Sequence, residues 1–108
     1  MQPSELSVFV QDCLVAVKDM RAAETRLRVE RPGDGLGTDY FNRTLPDPND
    51  DPDYYRDAYS RLKEIGGAIF AKHGINGMRD VCDAAGNMDS DAGSCLEASW
   101  DGVGEWRF

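Results

Sequence analysis

The stretch from Asp53 to His73 constrains the fold more than any other, because both of its ends carry helix signals. Pro52 suits the first helical position, and the acidic residues around it are favourable at the positive end of the helix dipole. Lys72 and His73 place cationic groups in the last turn, and Gly74 supplies a stop. Between these ends the apolar residues recur every three or four positions, as Tyr55, Tyr59, Leu62, Ile65, Ile69 and Phe70. The stretch therefore predicts an amphipathic helix that covers a core.

A second helical pattern begins near the start of the chain. Ser4 suits an N-cap, and an apolar stripe follows it at helical spacing until Pro32 prevents its continuation. We predict a helix from about residue 4 to about residue 30, roughly 40 Å long, that packs along the helix at 52–73. Its first half is apolar around nearly the whole circumference, so a symmetric homodimer is expected to bury part of it, through Val8, Leu14 and Val15.

The other segments predict a loop, a short helix and a hairpin. Residues 31–51 are rich in Pro, Gly, Asp and Asn, which favours a long loop. Residues 76–85 keep helical spacing and are followed by Gly86, which indicates a short helix with a C-terminal stop. Residues 95–108 place two apolar runs around a glycine-rich connection, a pattern typical of a β-hairpin. The predicted fold class is α+β, mainly α, in a single domain: two long antiparallel helices joined by a long loop, a short third helix and a C-terminal β-hairpin.

Two consecutive glycines lie inside the predicted helix at 52–73. Gly66 and Gly67 each cost about 1 kcal/mol relative to alanine in a helix interior. We expect the close approach of another backbone to compensate, from the first helix near Ala16, Ala22 or Ala23. A kink at this point is the alternative.

Charge narrows the class of partner. The 108 residues include 20 acidic and 12 basic side chains, for a formal net charge of -8. Such a charge disfavours direct binding to nucleic acid or to an anionic membrane and favours a basic partner. The arginine-rich half of the first helix is interpreted as a solvated face, with a phosphate or RNA patch as the weaker alternative. No long apolar run or secretory leader is recognisable, so we expect a cytoplasmic protein without a membrane span.

No motif for catalysis, for a cofactor or for a metal ion stands out. Cys13, Cys82 and Cys95 are widely spaced, which favours buried reduced thiols over a disulfide or a zinc site. His73 at a helix end suits a cap or dipole partner. Acidic residues at 47–53 and 87–93 alternate as in calcium-binding loops, but their register differs, so turns and helix caps are favoured. We therefore expect no catalytic residue, no cofactor and no metal site.

Two regions are candidates for partner binding. An acidic run precedes and opens the helix at 52–73, with more carboxylates than capping requires: Asp47, Asp50, Asp51, Asp53 and Asp57. Trp100 and Trp106 flank the predicted hairpin turn, where they either anchor the hairpin or form an exposed recognition tip.

These features favour a small acidic protein-binding or inhibitor protein. Its expected role is to mask a basic surface on an enzyme or on a nucleic-acid-binding protein. In size and charge the chain is similar to bacterial immunity proteins and to phage-encoded inhibitors of nucleic-acid machinery. A self-associating helical subunit is the alternative hypothesis, and an enzyme with an unrecognised acidic site is the third.

Overall fold

The described part of the chain is helical. The computed structural model describes residues 1–30 and 52–107. They form three α-helices, α1 at Pro3–Glu30, α2 at Asp53–Met88 and α3 at Ser90–Ser99. Within these two ranges the backbone contains no strand, so the predicted α+β class is wrong and the fold is all-α. The loop predicted for residues 31–51 lies outside the described residues.

The first helix and the start of the second run in opposite directions. Near the end of α1, Glu30 accepts a hydrogen bond from the Tyr54 hydroxyl at 2.7 Å. Near its beginning, Oε1 of Glu5 lies 2.7 Å from Nε2 of His73. The buried face of α1 follows the helical period through Val10, Cys13, Ala16, Val17, Met20, Ala23 and Leu27. α1 therefore packs along most of the part of α2 at residues 53–73.

α2 reverses direction at Gly74. This residue has φ 71° and ψ -168°, a region that is essentially restricted to glycine. His73, just before it, lies beside Glu5 at the start of α1, whereas Asp89, just after α2, pairs with Arg21 at 3.3 Å. The residues after Gly74 therefore run back along α1. The sequence places a helix end at this glycine, and the backbone does leave the helical conformation there.

α3 occupies residues for which the sequence predicts turns, within 87–93, and the first strand of the hairpin at 95–108. Gly86 does not stop the preceding helix, which continues to Met88. Asp89 then caps α3, because its side chain accepts a hydrogen bond from the Asp91 N–H at 3.1 Å. A Cβ atom on Gly93 would lie 3.0 Å from the Gly86 Cα atom. The small residues that resemble a loop in the sequence thus allow two helices to cross closely.

The chain after α3 forms consecutive turns and not a second strand. Val103 N–H donates to the Trp100 carbonyl at 2.8 Å, and Trp106 N–H donates to the Val103 carbonyl at 3.0 Å. Both bonds span three residues, which is the spacing of a β-turn. Gly102 and Gly104 have φ values of 85° and 56°. The predicted hairpin at 95–108 is therefore wrong, since its glycines permit turns that fold the chain back onto α2 and α3.

Trp100 lies at the centre of the core. Its side chain is 0% exposed, and Nε1 donates to the Leu62 carbonyl at 2.8 Å. The Trp106 ring packs edge-on against it with 5.4 Å between the centroids, and Nε1 of Trp106 donates to the Glu97 carbonyl at 3.0 Å. Both indoles are buried, which fits the anchoring interpretation and leaves neither ring on an exposed tip.

The side chain of Trp100, and not α1, occupies the space that Gly66 leaves. A Cβ atom on Gly66 would lie 2.7 Å from both Cδ1 and Nε1 of Trp100. A Cβ atom on Gly67 would meet nothing within 4 Å. The predicted approach of the α1 backbone is wrong, and the non-helical residue of α2 is Gly74.

Candidate functional site

Among the described residues, the net negative charge lies in the last third of the chain. Residues 74–107 carry seven acidic and two basic side chains, for a formal charge of -5. Residues 1–30 and 52–73 together carry eight of each and are formally neutral. The seven carboxylates belong to Asp80, Asp83, Asp89, Asp91, Glu97, Asp101 and Glu105.

A polar groove runs along the crossing of α3 and the second part of α2 within this region. Its volume is about 480 Å³, and Asp83 and Glu97 contribute carboxylates to its walls. The remaining lining residues are small or neutral, namely Cys82, Gly86, Asn87, Ser90, Gly93 and Ser94. We call this feature the α2–α3 groove.

The α2–α3 groove contains a protonated thiol, that of Cys82, and two carboxylates on its walls. The Cys82 thiol donates a weak hydrogen bond to the Gly93 carbonyl at 3.6 Å, which joins the two helices. Burial raises the pKa of Cys82 to about 12, with smaller contributions from the charges of Glu97 and Asp83. The thiol therefore stays protonated at neutral pH, while Asp83 and Glu97 are exposed to solvent. Such walls suit the cationic N–H donors of lysine and arginine.

The acidic run predicted from the sequence is described only in part. Asp53 forms an ion pair with Arg56 inside α2. Asp57 lines a separate groove between α1 and α2 that also includes Arg26 and Arg61. The other three predicted residues lie outside the described ranges: Asp47, Asp50 and Asp51. The described start of α2 therefore presents mixed charge and not a continuous acidic surface.

Two of the three arginines of α1, Arg21 and Arg26, are engaged with neighbouring groups. Arg21 contacts Asp89 and Asp91 at 3.3 and 3.2 Å. Arg26 pairs with Glu30 at 3.0 Å, and its guanidinium lies 4.0 Å from the centroid of the Tyr54 ring. These contacts support the interpretation of a solvated, ion-paired face.

The predicted dimer residues do not share one environment. The side chains of Val8 and Val15 are exposed, whereas Leu14 is half-buried against the core. Cys13, Cys82 and Cys95 are free and buried. Across the described residues, no group of three or more His, Cys, Asp or Glu side chains is arranged to hold a metal ion.

Sequence reasoning did not single out Asp83 and Glu97 as site residues. Glu97 lies in the first strand of the hairpin predicted at 95–108, and Asp83 lies in the short helix predicted at 76–85. The available signal was the capping residue Asp89, followed by apolar and small residues at helical spacing, Ala92, Cys95, Leu96 and Ser99. That pattern predicts α3, and α3 brings the two carboxylates to one groove.

Comparison of the chain with protein-family models, with curated protein sequences and with solved structures finds no match. In the described ranges, none of the helices combines the length and the apolar character needed to cross a membrane. The charge and geometry of the α2–α3 groove therefore provide the basis for a functional proposal.

The buried thiols should make the fold sensitive to alkali. Burial raises the pKa of Cys13 and Cys82 from 9.0 to about 12, so the unfolded chain loses these protons at lower pH than the folded chain. Their contribution to stability is complete below pH 9.0 and is lost as the pH rises towards about 12. Thermal unfolding midpoints should fall over this range, and they should fall less in Cys82→Ala. An equal fall in both proteins would contradict the assignment to Cys82.

Proposed function

We propose that the protein is an acidic protein-binding module whose α2–α3 groove receives a basic segment of a partner protein. One observation carries the proposal: the carboxylates of Asp83 and Glu97 line one groove, and they belong to a part of the chain, residues 74–107, that carries a formal charge of -5 while the rest of the described chain is neutral. Opposite charges on facing surfaces orient an encounter and raise the association rate.

The chemistry of the groove favours arginine and lysine side chains. Asp83 and Glu97 offer carboxylates that can each accept two N–H bonds from one guanidinium. The amide of Asn87 and the hydroxyls of Ser90 and Ser94 line the same groove and can accept further N–H donors. A basic protein, including a nucleic-acid-binding protein, is therefore the proposed partner, and masking of its basic surface is the proposed inhibitory action.

The expected binding is fast and sensitive to salt. An exposed ion pair contributes roughly 0.2 to 1 kcal/mol, so useful affinity requires several pairs at once. Exposed charges are screened over about 8 Å at physiological ionic strength. Rising salt should therefore slow association more than it speeds dissociation.

The test compares two pairs of neutralised carboxylates in the full chain. Asp83→Asn with Glu97→Gln removes two charges from the groove, and Asp53→Asn with Asp57→Asn removes two charges from the start of α2. The probe is an arginine-rich peptide, and binding is measured by isothermal titration calorimetry at several salt concentrations. The groove pair should weaken binding by about fivefold or more and reduce the salt dependence, while the control pair changes it less than twofold.

Each alternative outcome contradicts the proposal in its own way. Equal weakening by both pairs would mean that the peptide responds to net charge and not to the groove. Weakening by the control pair alone would return the contact region to Asp53 and Asp57. Absence of binding to the unmodified chain would reject the basic partner class.

A further inference from the structure

An arginine of α1 binds the acidic junction between α2 and α3. Nη1 of Arg21 lies 3.3 Å from one carboxylate oxygen of Asp89, and Nη2 lies 3.4 Å from the other. Nη2 also lies 3.2 Å from Oδ2 of Asp91. One guanidinium therefore contacts two carboxylates, with the paired N–H groups that arginine offers to such partners. We call Asp89 and Asp91 the junction carboxylates.

The junction carboxylates lie beside the α2–α3 groove. Ser90 lines the groove and stands between them in the chain, and consecutive Cα atoms are about 3.8 Å apart. Glu97, also on the groove wall, is about 10 Å farther along α3 at 1.5 Å per residue. The acidic groups available to a basic segment therefore extend from Glu97 to the junction, but those at the junction already hold a cation of the same chain.

The contact of Arg21 with the junction carboxylates is open to exchange. The side chains of Arg21, Asp89 and Asp91 are 36%, 41% and 77% exposed. Ion pairs at such exposure contribute little to stability, because water solvates the separated charges. Asp89 also keeps its capping role without Arg21, since its side chain accepts a hydrogen bond from the Asp91 N–H. Another guanidinium can therefore replace Arg21 while α3 stays folded.

We propose that Arg21 is an autoinhibitory contact of the α2–α3 groove, an inference that rests on the proposed function. In the free protein Arg21 occupies the junction carboxylates. A basic segment in the groove reaches them only by displacing Arg21, and the exchange of one arginine for another adds no ion pair. Arg21 therefore holds the affinity of the groove for basic partners below the value that its carboxylates alone would give.

Removal of one positive charge at either of two positions on α1 tests the proposal. Arg21→Gln frees the junction carboxylates, whereas Arg28→Gln removes the same charge from an exposed residue about 10 Å farther along the helix. Binding of the arginine-rich peptide to the full chain is measured by isothermal titration calorimetry. Arg21→Gln should bind the peptide about threefold to fivefold more tightly than Arg28→Gln. Arg21→Lys keeps the charge and should bind it like the unmodified chain.

A double-mutant cycle with Asp91 separates the contact from net charge. Asp91 is the better choice for substitution because the side chain of Asp89 caps α3. With Arg21 present, Asp91→Asn should leave the affinity nearly unchanged, because Arg21 already neutralises that carboxylate. In Arg21→Gln the same substitution should remove most of the gain. Circular dichroism checks that every variant keeps its helices.

Two results would overturn the autoinhibitory role of Arg21. They are equal affinities of Arg21→Gln and Arg28→Gln, and equal effects of Asp91→Asn in the two backgrounds. Either result leaves the proposed function standing if neutralisation of Asp83 and Glu97 still weakens binding. If neither the unmodified chain nor Arg21→Gln binds the peptide, the proposed function and this inference are both rejected.

Discussion

Replacement of Trp100 by alanine should lower the free energy of unfolding by about 3 to 5 kcal/mol. The side chain is fully buried, it packs against Trp106, and its N–H donates to the Leu62 carbonyl at 2.8 Å. Because a small domain is stable by only about 5 to 15 kcal/mol, this substitution removes a large part of the total. Urea unfolding followed by circular dichroism measures the change.

Trp100→Phe is the matched control for this substitution. It keeps a large aromatic ring but leaves the Leu62 carbonyl without its indole donor. That carbonyl lies inside α2 and keeps the helical hydrogen bond from the residue four positions later, so the lost indole bond costs about 0.5 to 1.5 kcal/mol and the total loss should be smaller than in Trp100→Ala. If Trp100→Ala unfolds near the same urea concentration as the unmodified chain, Trp100 does not organise the core.

Substitutions at two neighbouring glycines should have opposite effects. Gly66→Ala should destabilise the protein by about 1 to 3 kcal/mol, because the added methyl group would lie 2.7 Å from the Trp100 ring. Gly67→Ala should stabilise it by about 0.5 to 1 kcal/mol, because alanine is the better helix former and the new methyl group meets nothing within 4 Å. Thermal and urea unfolding of the two single variants give the comparison.

A double-mutant cycle identifies the cause of the Gly66 effect. If the clash with Trp100 is responsible, Gly66→Ala should cost little or nothing in a protein that already carries Trp100→Ala. The same cost in both backgrounds would place the strain in the α2 backbone and contradict the contact with the indole.

Local signals in the sequence are sufficient to predict α1 and the part of α2 that precedes Gly74. Pro3 and Pro32 limit the extent of α1, and Pro52 marks the start of α2. Each proline acts only on neighbouring backbone atoms. Gly74 is marked by the cationic turn before it, and the backbone there adopts a glycine conformation. The sequence also predicts the helical turns at 76–85, but it does not reveal that they begin immediately after Gly74, extend to Met88 and run back along α1.

The C-terminal third depends on contacts between distant residues. The sequence at 90–94 is compatible with a loop and with the first turn of a helix. The close contact of Gly93 with Gly86 favours the helix. Trp100 meets Gly66, a residue 34 positions earlier, and no local pattern predicts this pairing. The α2–α3 groove was missed for the same reason, since Asp83 and Glu97 share it only once α3 has folded back on α2.

The pairing of the two indoles also determines what optical measurements on this protein report. The chain contains two tryptophans, and both lie in one edge-to-face contact between α2 and the turn after α3. Intrinsic fluorescence therefore reports on a single place in the molecule, whereas far-ultraviolet circular dichroism averages over all helices. Two probes that follow different parts of a structure coincide only when the parts unfold together. A melting curve recorded by fluorescence therefore reports the temperature at which the last third of the chain separates from α2. It does not report the remaining helix content.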